Sequence, residues 1–198
     1  MCVVCEGPMT DTGHQERSGR EQRRNGRESM MQPEAPVARR HVAVSSGRTI
    51  SVMGDRVTYK AVAEQTGGAY SLFEFVVEPG QGVPRHHGRY EDETFWILAG
   101  EFRLRLDDEM LELGAGGYAY APRGTVHALA NVGDVPGRLL VLVTPGGLRE
   151  RYLDEMSDPR GVRGVPTSPA EVERAEMIAA KYGIEFLHPE GRLAGWDR

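Results

Sequence analysis

From His41 onward the chain alternates apolar and polar residues in short runs that end at turn residues. HVAVS, TISVM and RVTYKAVAE are divided by Ser-Gly and Gly-Asp, and AYSLFEFVVE follows Gly67-Gly68 and stops at Pro79-Gly80. ETFWIL, EFRLRL, EMLEL, GYAYA, VHALANV and GRLLVLV come next, with Gly100, Asp107-Asp108, Gly114 and Gly133-Asp134 between them. Period-two runs with a turn signal every ~8–12 residues predict an all-β domain over residues 41–145, an antiparallel sandwich or barrel and not a parallel sheet with crossover helices.

Alternation also sorts the faces. In the ETFWIL run, Glu93, Phe95 and Ile97 share one face and Thr94, Trp96 and Leu98 the other; both are partly apolar, as expected if one lines a cavity and the other packs on a neighbour. Tyr118 with Tyr120, and Tyr70 with Leu72 and Glu74, form similar sets and suggest a small aromatic-lined pocket.

After Pro145-Gly146-Gly147 the period changes. Leu148, Tyr152 and Met156 fall at helical spacing, a stripe expected against the barrel. Residues 158–167 read as a Pro/Gly/Arg-rich connection. Ser168-Pro169-Ala170-Glu171 is then a capping box with proline at the first helical position. Val172, Ala175, Ala179 and Tyr182 line one face of the predicted helix, and Gly183 supplies its stop. Residues 146–198 are therefore expected to form a helical extension, the second helix and Ile184 to Leu187 packing against the chain's own barrel, with a cover for the barrel mouth or a partner subunit as the alternatives.

Residues 1–40 lack this patterning. The segment DTGHQERSGREQRRNGRES is nearly free of apolar residues and cannot offset the entropy of ordering, so a disordered tail is expected. Cys2 and Cys5 form a C-x-x-C, but with only His14 near them a structural zinc site is short of ligands. Met30 and Met31 stand just before the patterned region, where an alternative start would remove this segment.

The 198 residues suit one domain plus tails, and the formal net charge of −5 argues against a broad basic surface for nucleic acid or anionic membrane. No apolar run approaches the ~18–20 residues of a spanning helix, and no secretory signal is evident. Two cysteines, both near the N-terminus, leave the fold independent of disulfides, so a reducing cytoplasm is the expected compartment.

The candidate chemistry is concentrated in two stretches, GVPRHHGRYEDETFWILAG and GGYAYAPRGTVHALAN. They hold His86, His87, Glu93 and His127, a mixed imidazole and carboxylate set that first-row divalent metals accept. Glu91 and Asp92 read as the solvated lead-in to a strand. Gly114 to Ala119 imitates a dinucleotide-binding glycine loop, but Pro122 and a strand follow where a helix should begin.

Gly116, Pro122, Gly124, His127 and Asn131 match G-x5-P-x-G-x2-H-x3-N, and Glu93-x6-Gly100 closes an upstream pattern that His86 opens. Together these resemble the two signature motifs of the cupin superfamily, and EDETFWILAGEF and PRGTVHALANVG are similar to the single-domain cupins related to quercetin 2,3-dioxygenase. The resemblance implies a jelly-roll barrel and a divalent transition metal (Fe(II) favoured; Mn, Ni, Cu or Zn accepted) held by His86, His87, Glu93 and His127. It further implies Glu93 and His127 as the candidate catalytic groups, a small phenolic or polyketide-like substrate for a dioxygenase, and a homodimer. The same fold also hosts cyclases, isomerases, decarboxylases and non-catalytic binders. One position departs from the pattern: the motif places a second histidine at residue 88, which is Gly88. Either three ligands remain, His86, Glu93 and His127, as in the facial triad of non-haem Fe(II) oxygenases, or a bulge at Gly88 swings His87 inward.

Overall fold

The alternating runs become short antiparallel strands wherever one face can be buried. A computed structural model of the protein describes residues 41–43, 46–157, 166 and 168–187. The expected disordered tail and its C-x-x-C lie outside these residues, as does most of the connection at 158–167.

The strands are β1 Thr49–Val52, β2 Asp55–Ala61, β3 Ser71–Val77, β4 Gly82–Gly88, β5 Asp92–Ala99, β6 Phe102–Leu106, β7 Glu109–Leu113, β8 Tyr118–Ala121, β9 His127–Asn131, β10 Gly137–Thr144 and β11 Ile184–Phe186. The helices are α1 Ala63–Thr66, α2 Leu148–Met156 and α3 Pro169–Lys181. A six-stranded sheet runs β1-β2-β3-β10-β5-β8, and a five-stranded sheet runs β11-β4-β9-β6-β7. The fold is the double-stranded β-helix that the patterning and the motif resemblance predicted. One expected strand fails: residues 41–43 of the HVAVS run are irregular.

The core lies between the inward faces. On β10, Leu139, Val141 and Val143 are buried while Leu140 and Leu142 are half-buried on the outside. On β5 the inward set is Glu93, Phe95 and Ile97, as the alternation predicted, and Trp96 faces out at 54% exposure. Phe73, Phe102, Leu104 and Val57 complete the centre. Burying each such side chain contributes about 1.5–3 kcal/mol. Asn131, wholly buried, closes the far end of β9: its amide donates to Val77 O at 2.9 Å and Val135 O at 2.8 Å. Gly82 has a steric role, since a Cβ there would fall 1.9 Å from Leu129 O on the paired strand.

The tyrosines differ from expectation. Tyr118, Tyr120 and Tyr70 are exposed, and Glu74 bonds Arg138 and Lys60, so these residues do not line an inner pocket. Alternation gives which residues share a face but not which face meets the core.

The C-terminal elements are stitched to the sheets. The capping box forms, with Glu171 N donating to Ser168 Oγ at 3.3 Å and Ser168 N donating to Glu171 Oε2 at 3.1 Å. The buried face of α3 is Ala175, Ile178 and Ala179, one step round from the predicted stripe. Residues 184–186 are a strand pairing antiparallel with β4, so the expected packing against the chain's own barrel takes the form of an added edge strand. In α2 the buried residues are Arg149, Tyr152 and Leu153; Leu148 and Met156 are half-buried, so the apolar stripe misses the helix's most consequential side chain.

Phe102→Ala should lower unfolding stability by about 3–5 kcal/mol in urea denaturation, because the aromatic ring is fully enclosed. A loss below about 1 kcal/mol would contradict this core assignment.

Candidate metal centre

Three strands carry the candidate ligands. On β4, Val83 pairs with Leu129 and His86 with His127, so three steps on β4 oppose two on β9. The extra residue is a bulge at Pro84-Arg85, where proline has no N–H to offer the ladder. Because side chains alternate, the bulge resets the parity, and Val83 and His86 both face the cavity. His87 consequently points away. Its Nε2 lies 3.6 Å from Glu185 on β11, and its side chain is 21% exposed. The structure does not bring His87 to the metal-type cluster, and the bulge that could have restored it sits upstream of His86, not at Gly88.

His127 begins β9 after the turn at Pro122 to Gly124, and Glu93 lies near the start of β5. Two contacts hold the motifs together at this end: Gly124 N donates to Gly88 O at 2.7 Å, and Asp92 accepts from the Arg123 backbone N–H at 2.8 Å and from its guanidinium at 2.9 and 3.0 Å. Arg123 holds the Asp92 carboxyl down to about 2.

His86, Glu93 and His127, each 3% exposed, converge so that one donor atom from each lies within 4.8 Å of the others. Glu93 Oε1 is 3.4 Å from His127 Nε2 and 4.0 Å from His86 Nε2. Each imidazole has its Nδ1 on a carbonyl two residues back, Pro84 O at 2.9 Å and Thr125 O at 3.0 Å. Carbonyls accept only, so Nδ1 carries the proton and a neutral ring turns its Nε2 lone pair toward the carboxylate. Burial pushes His86 down to about 3, which keeps it neutral. His127 Nε2 is buried with no hydrogen-bond partner among the described residues. Imidazole Nε2 atoms and a carboxylate oxygen turned toward one another form a donor set that favours a bound cation. The residues fit a first-row dication, with His86 Nε2, His127 Nε2 and Glu93 Oε1 as its ligands.

Two further charged groups belong to the site. Arg149, in the first turn of α2, is buried and donates from Nη2 to Glu93 Oε1. Its Nε lies 3.4 Å from Glu91 Oε2, and its backbone N–H donates to Glu91 Oε1 at 2.8 Å. Glu91, expected as a solvated lead-in, is only 3% exposed; the guanidinium and the helix N–H replace its water. Burial alone would raise the Glu93 carboxyl, but the Arg149 guanidinium holds it well below the ordinary range. Arg149 itself is driven above its ordinary value by Glu93 and Glu91, against the opposing effect of burial. No pattern in the chain marked Arg149, because it is charged and lies 56 residues from Glu93.

The three donors open onto a cavity of about 40 Å³, walled by Phe73, Phe75, Phe95, Leu139 and Val141. Its aromatic lining is phenylalanine, not the expected tyrosine. Asp55 lies on the same cavity, beside the Val77 end of β3, whereas Glu93 is in register with Val143 and so with Ser71 at the other end.

A family model for the cupin domain matches residues 73–143, the segment that contains His86, Glu93 and His127. The chain contains a cupin domain. This cupin is 35% identical over 82 residues to Protein SchB of Streptomyces halstedii, covering 40% of this chain and 59% of the relative. It is 27% identical over 118 residues to quercetin 2,3-dioxygenase of Bacillus subtilis, covering 59% of this chain and 34% of that enzyme. Among solved structures, KdgF from Halomonas sp. superposes with a TM-score of 0.51 at 16% identity, covering 56% of this chain and 96% of that one, a likeness of fold. The chain spans about three fifths or less of the length of these two curated relatives. No helix among the described residues is long and apolar enough to cross a membrane.

Asp55 is 4% exposed, its Oδ1 finds no partner among the described residues, and burial, with the Glu78 charge adding to it, raises its carboxyl from 3.8 to about 7. Between pH about 4 and 7 the folded protein therefore retains a proton that the unfolded chain has released, so this group lowers stability as pH rises through that window. Relative to wild type, Asp55→Asn should gain up to about 4 kcal/mol of stability between pH 4 and pH 8, read from urea midpoints at each pH. A difference between the two proteins that does not change with pH would refute the buried, proton-holding assignment.

Proposed function

We propose that this cupin is a metal-dependent enzyme, a quercetinase-like oxygenase acting on a small phenolic or polyketide-like substrate. The observation that carries the proposal is the set of facing donors, two imidazole lone pairs oriented by backbone carbonyls and one carboxylate, buried together at the end of an apolar cavity. A first-row dication bound there would supply Lewis acidity and, if redox-active, a place for dioxygen beside the substrate.

The chain's own residues do the rest. His86 and His127 present fixed Nε2 donors, so little reorganisation accompanies loading. Glu93 contributes charge and, held by Arg149, keeps its Oε1 toward the rings. The phenylalanine and aliphatic walls exclude water and strengthen electrostatic interactions at the mouth of the site. Two imidazoles and a carboxylate are the ligand complement of non-haem Fe(II) oxygenases, and similarity to quercetin 2,3-dioxygenase supports the same reading.

A non-redox reading, as a cyclase, isomerase or decarboxylase, uses the same residues and is favoured by the cavity's small size, which suits a compact substrate. Oxygen dependence separates the two: turnover that persists under strict anaerobiosis selects the second.

Protein purified without chelators should retain a transition metal. Glu93→Gln and His127→Ala should weaken metal affinity at least about a hundredfold in titration calorimetry, since even residues outside the ligand set are worth about 10–100-fold. His87→Ala should leave affinity within about threefold of wild type, because that ring faces Glu185. Retention of tight binding by Glu93→Gln, or its loss in His87→Ala, would refute this ligand assignment.

A further inference from the structure

The position where the motif resemblance places a second histidine is filled, though not by residue 88. A Cβ built on Gly88 would lie 3.6 Å from Glu91 O, 3.9 Å from Arg149 Nη2 and 3.9 Å from Glu93 Oε1. These are ordinary contacts, so the backbone tolerates a side chain, and that side chain would point at the Glu93–Arg149 pair. The guanidinium thus fills the space that a ligand from position 88 would use. It arrives from α2, outside both motifs, and it is fastened twice, to Glu93 and to Glu91.

We propose that Arg149 is a positioning residue standing in place of the fourth ligand, and that its fixed positive charge sets how tightly the site binds a divalent metal. This rests on the metal-dependent reading above. Two buried carboxylates against one guanidinium leave one uncompensated negative charge beside neutral imidazoles, which is enough to attract a dication. Without Arg149 a dication would meet both carboxylates with no guanidinium competing for them, and would be held more strongly. The guanidinium weakens metal binding while it stabilises the metal-free protein, because it pairs carboxylates that would otherwise be buried alone. Arginine suits this position because it stays protonated and its planar fork can serve two carboxylates at once. A lysine could supply the charge but not the fork.

The test is direct titration of metal-free protein with Zn(II) and with Co(II), the latter followed by its visible absorption bands, together with thermal melts with and without metal. Arg149→Gln should bind either ion at least about tenfold more tightly than wild type, melt at a lower temperature when metal-free, and gain more from added metal. Arg149→Lys should keep an affinity within about threefold of wild type while its metal-free form is less stable. A purely structural role for Arg149 predicts the opposite sign, since loosening Glu93 would weaken binding in Arg149→Gln; equal or weaker binding in that variant overturns the proposal and leaves the metal site standing.

Gly88→His gives an answer even if Arg149→Gln fails to fold without metal. Beside the guanidinium a new imidazole should leave affinity within about threefold of wild type, whereas a gain of about tenfold or more by Gly88→His alone overturns the proposal. If wild type and the Gly88→His and Arg149→Gln variants all bind no metal, both this inference and the function proposed above fail together.

Discussion

The site depends on the ion pair between Arg149 and Glu93. A carboxylate enclosed by phenylalanines, aliphatic side chains and two imidazoles would take up a proton unless a positive charge, a guanidinium or a bound dication, faced it. Arg149 supplies that charge because α2 is docked against the sheet. Glu150, its neighbour, accepts from Ala63 N at 2.6 Å and from the Ser71 hydroxyl, and Tyr59 donates to Asp154 at 2.5 Å on the following turn. Glu91 completes the arrangement by receiving both the helix N–H and the guanidinium. A helix outside the strand motifs is therefore part of the candidate centre, and loosening α2 would alter the charge at Glu93 as directly as a change at Glu93 itself.

The second constraint is geometric. Two segments about forty residues apart must present their imidazoles toward one point, and the sheet does this through register. The bulge on β4 sets which of two adjacent histidines faces inward, and the Gly124–Gly88 and Asp92–Arg123 contacts hold the two motif ends side by side. Carbonyl acceptors at Nδ1 then choose the tautomer, so the backbone conformation of β4 and β9 determines which ring nitrogen is free. Local strand geometry, through these steps, controls metal-binding chemistry.

The cavity joins these features to function. Its walls are apolar, its volume is small, and its polar groups are gathered at opposite ends, the three donors at one and Asp55 beside Val77 at the other. The apolar walls lower the local polarity around the three donors and strengthen electrostatic interactions there.

The strand runs from β1 to β10 apart from β4, the capping box before α3, and the set His86, Glu93 and His127 were legible in the chain, because alternation, turn residues and ligand spacing are local properties, whereas β4, with Pro84 and few apolar residues, carries no alternation to read. Which face of a run turns inward was not. Tyr118 and Tyr120 obey the same alternation as Phe73 and Phe95, yet they lie outside, and His86 displaces His87 only because the ladder slips by one residue. Glu91 and Arg149 were invisible for a related reason: a charged side chain reads as solvated until a distant partner is brought to it, and folding alone brings a guanidinium from residue 149 to carboxylates at 91 and 93. The sequence by itself determined the strands and the ligand types; tertiary structure decided inside from outside and paired the buried charges, since burial is a property of the assembled sheets and not of any segment.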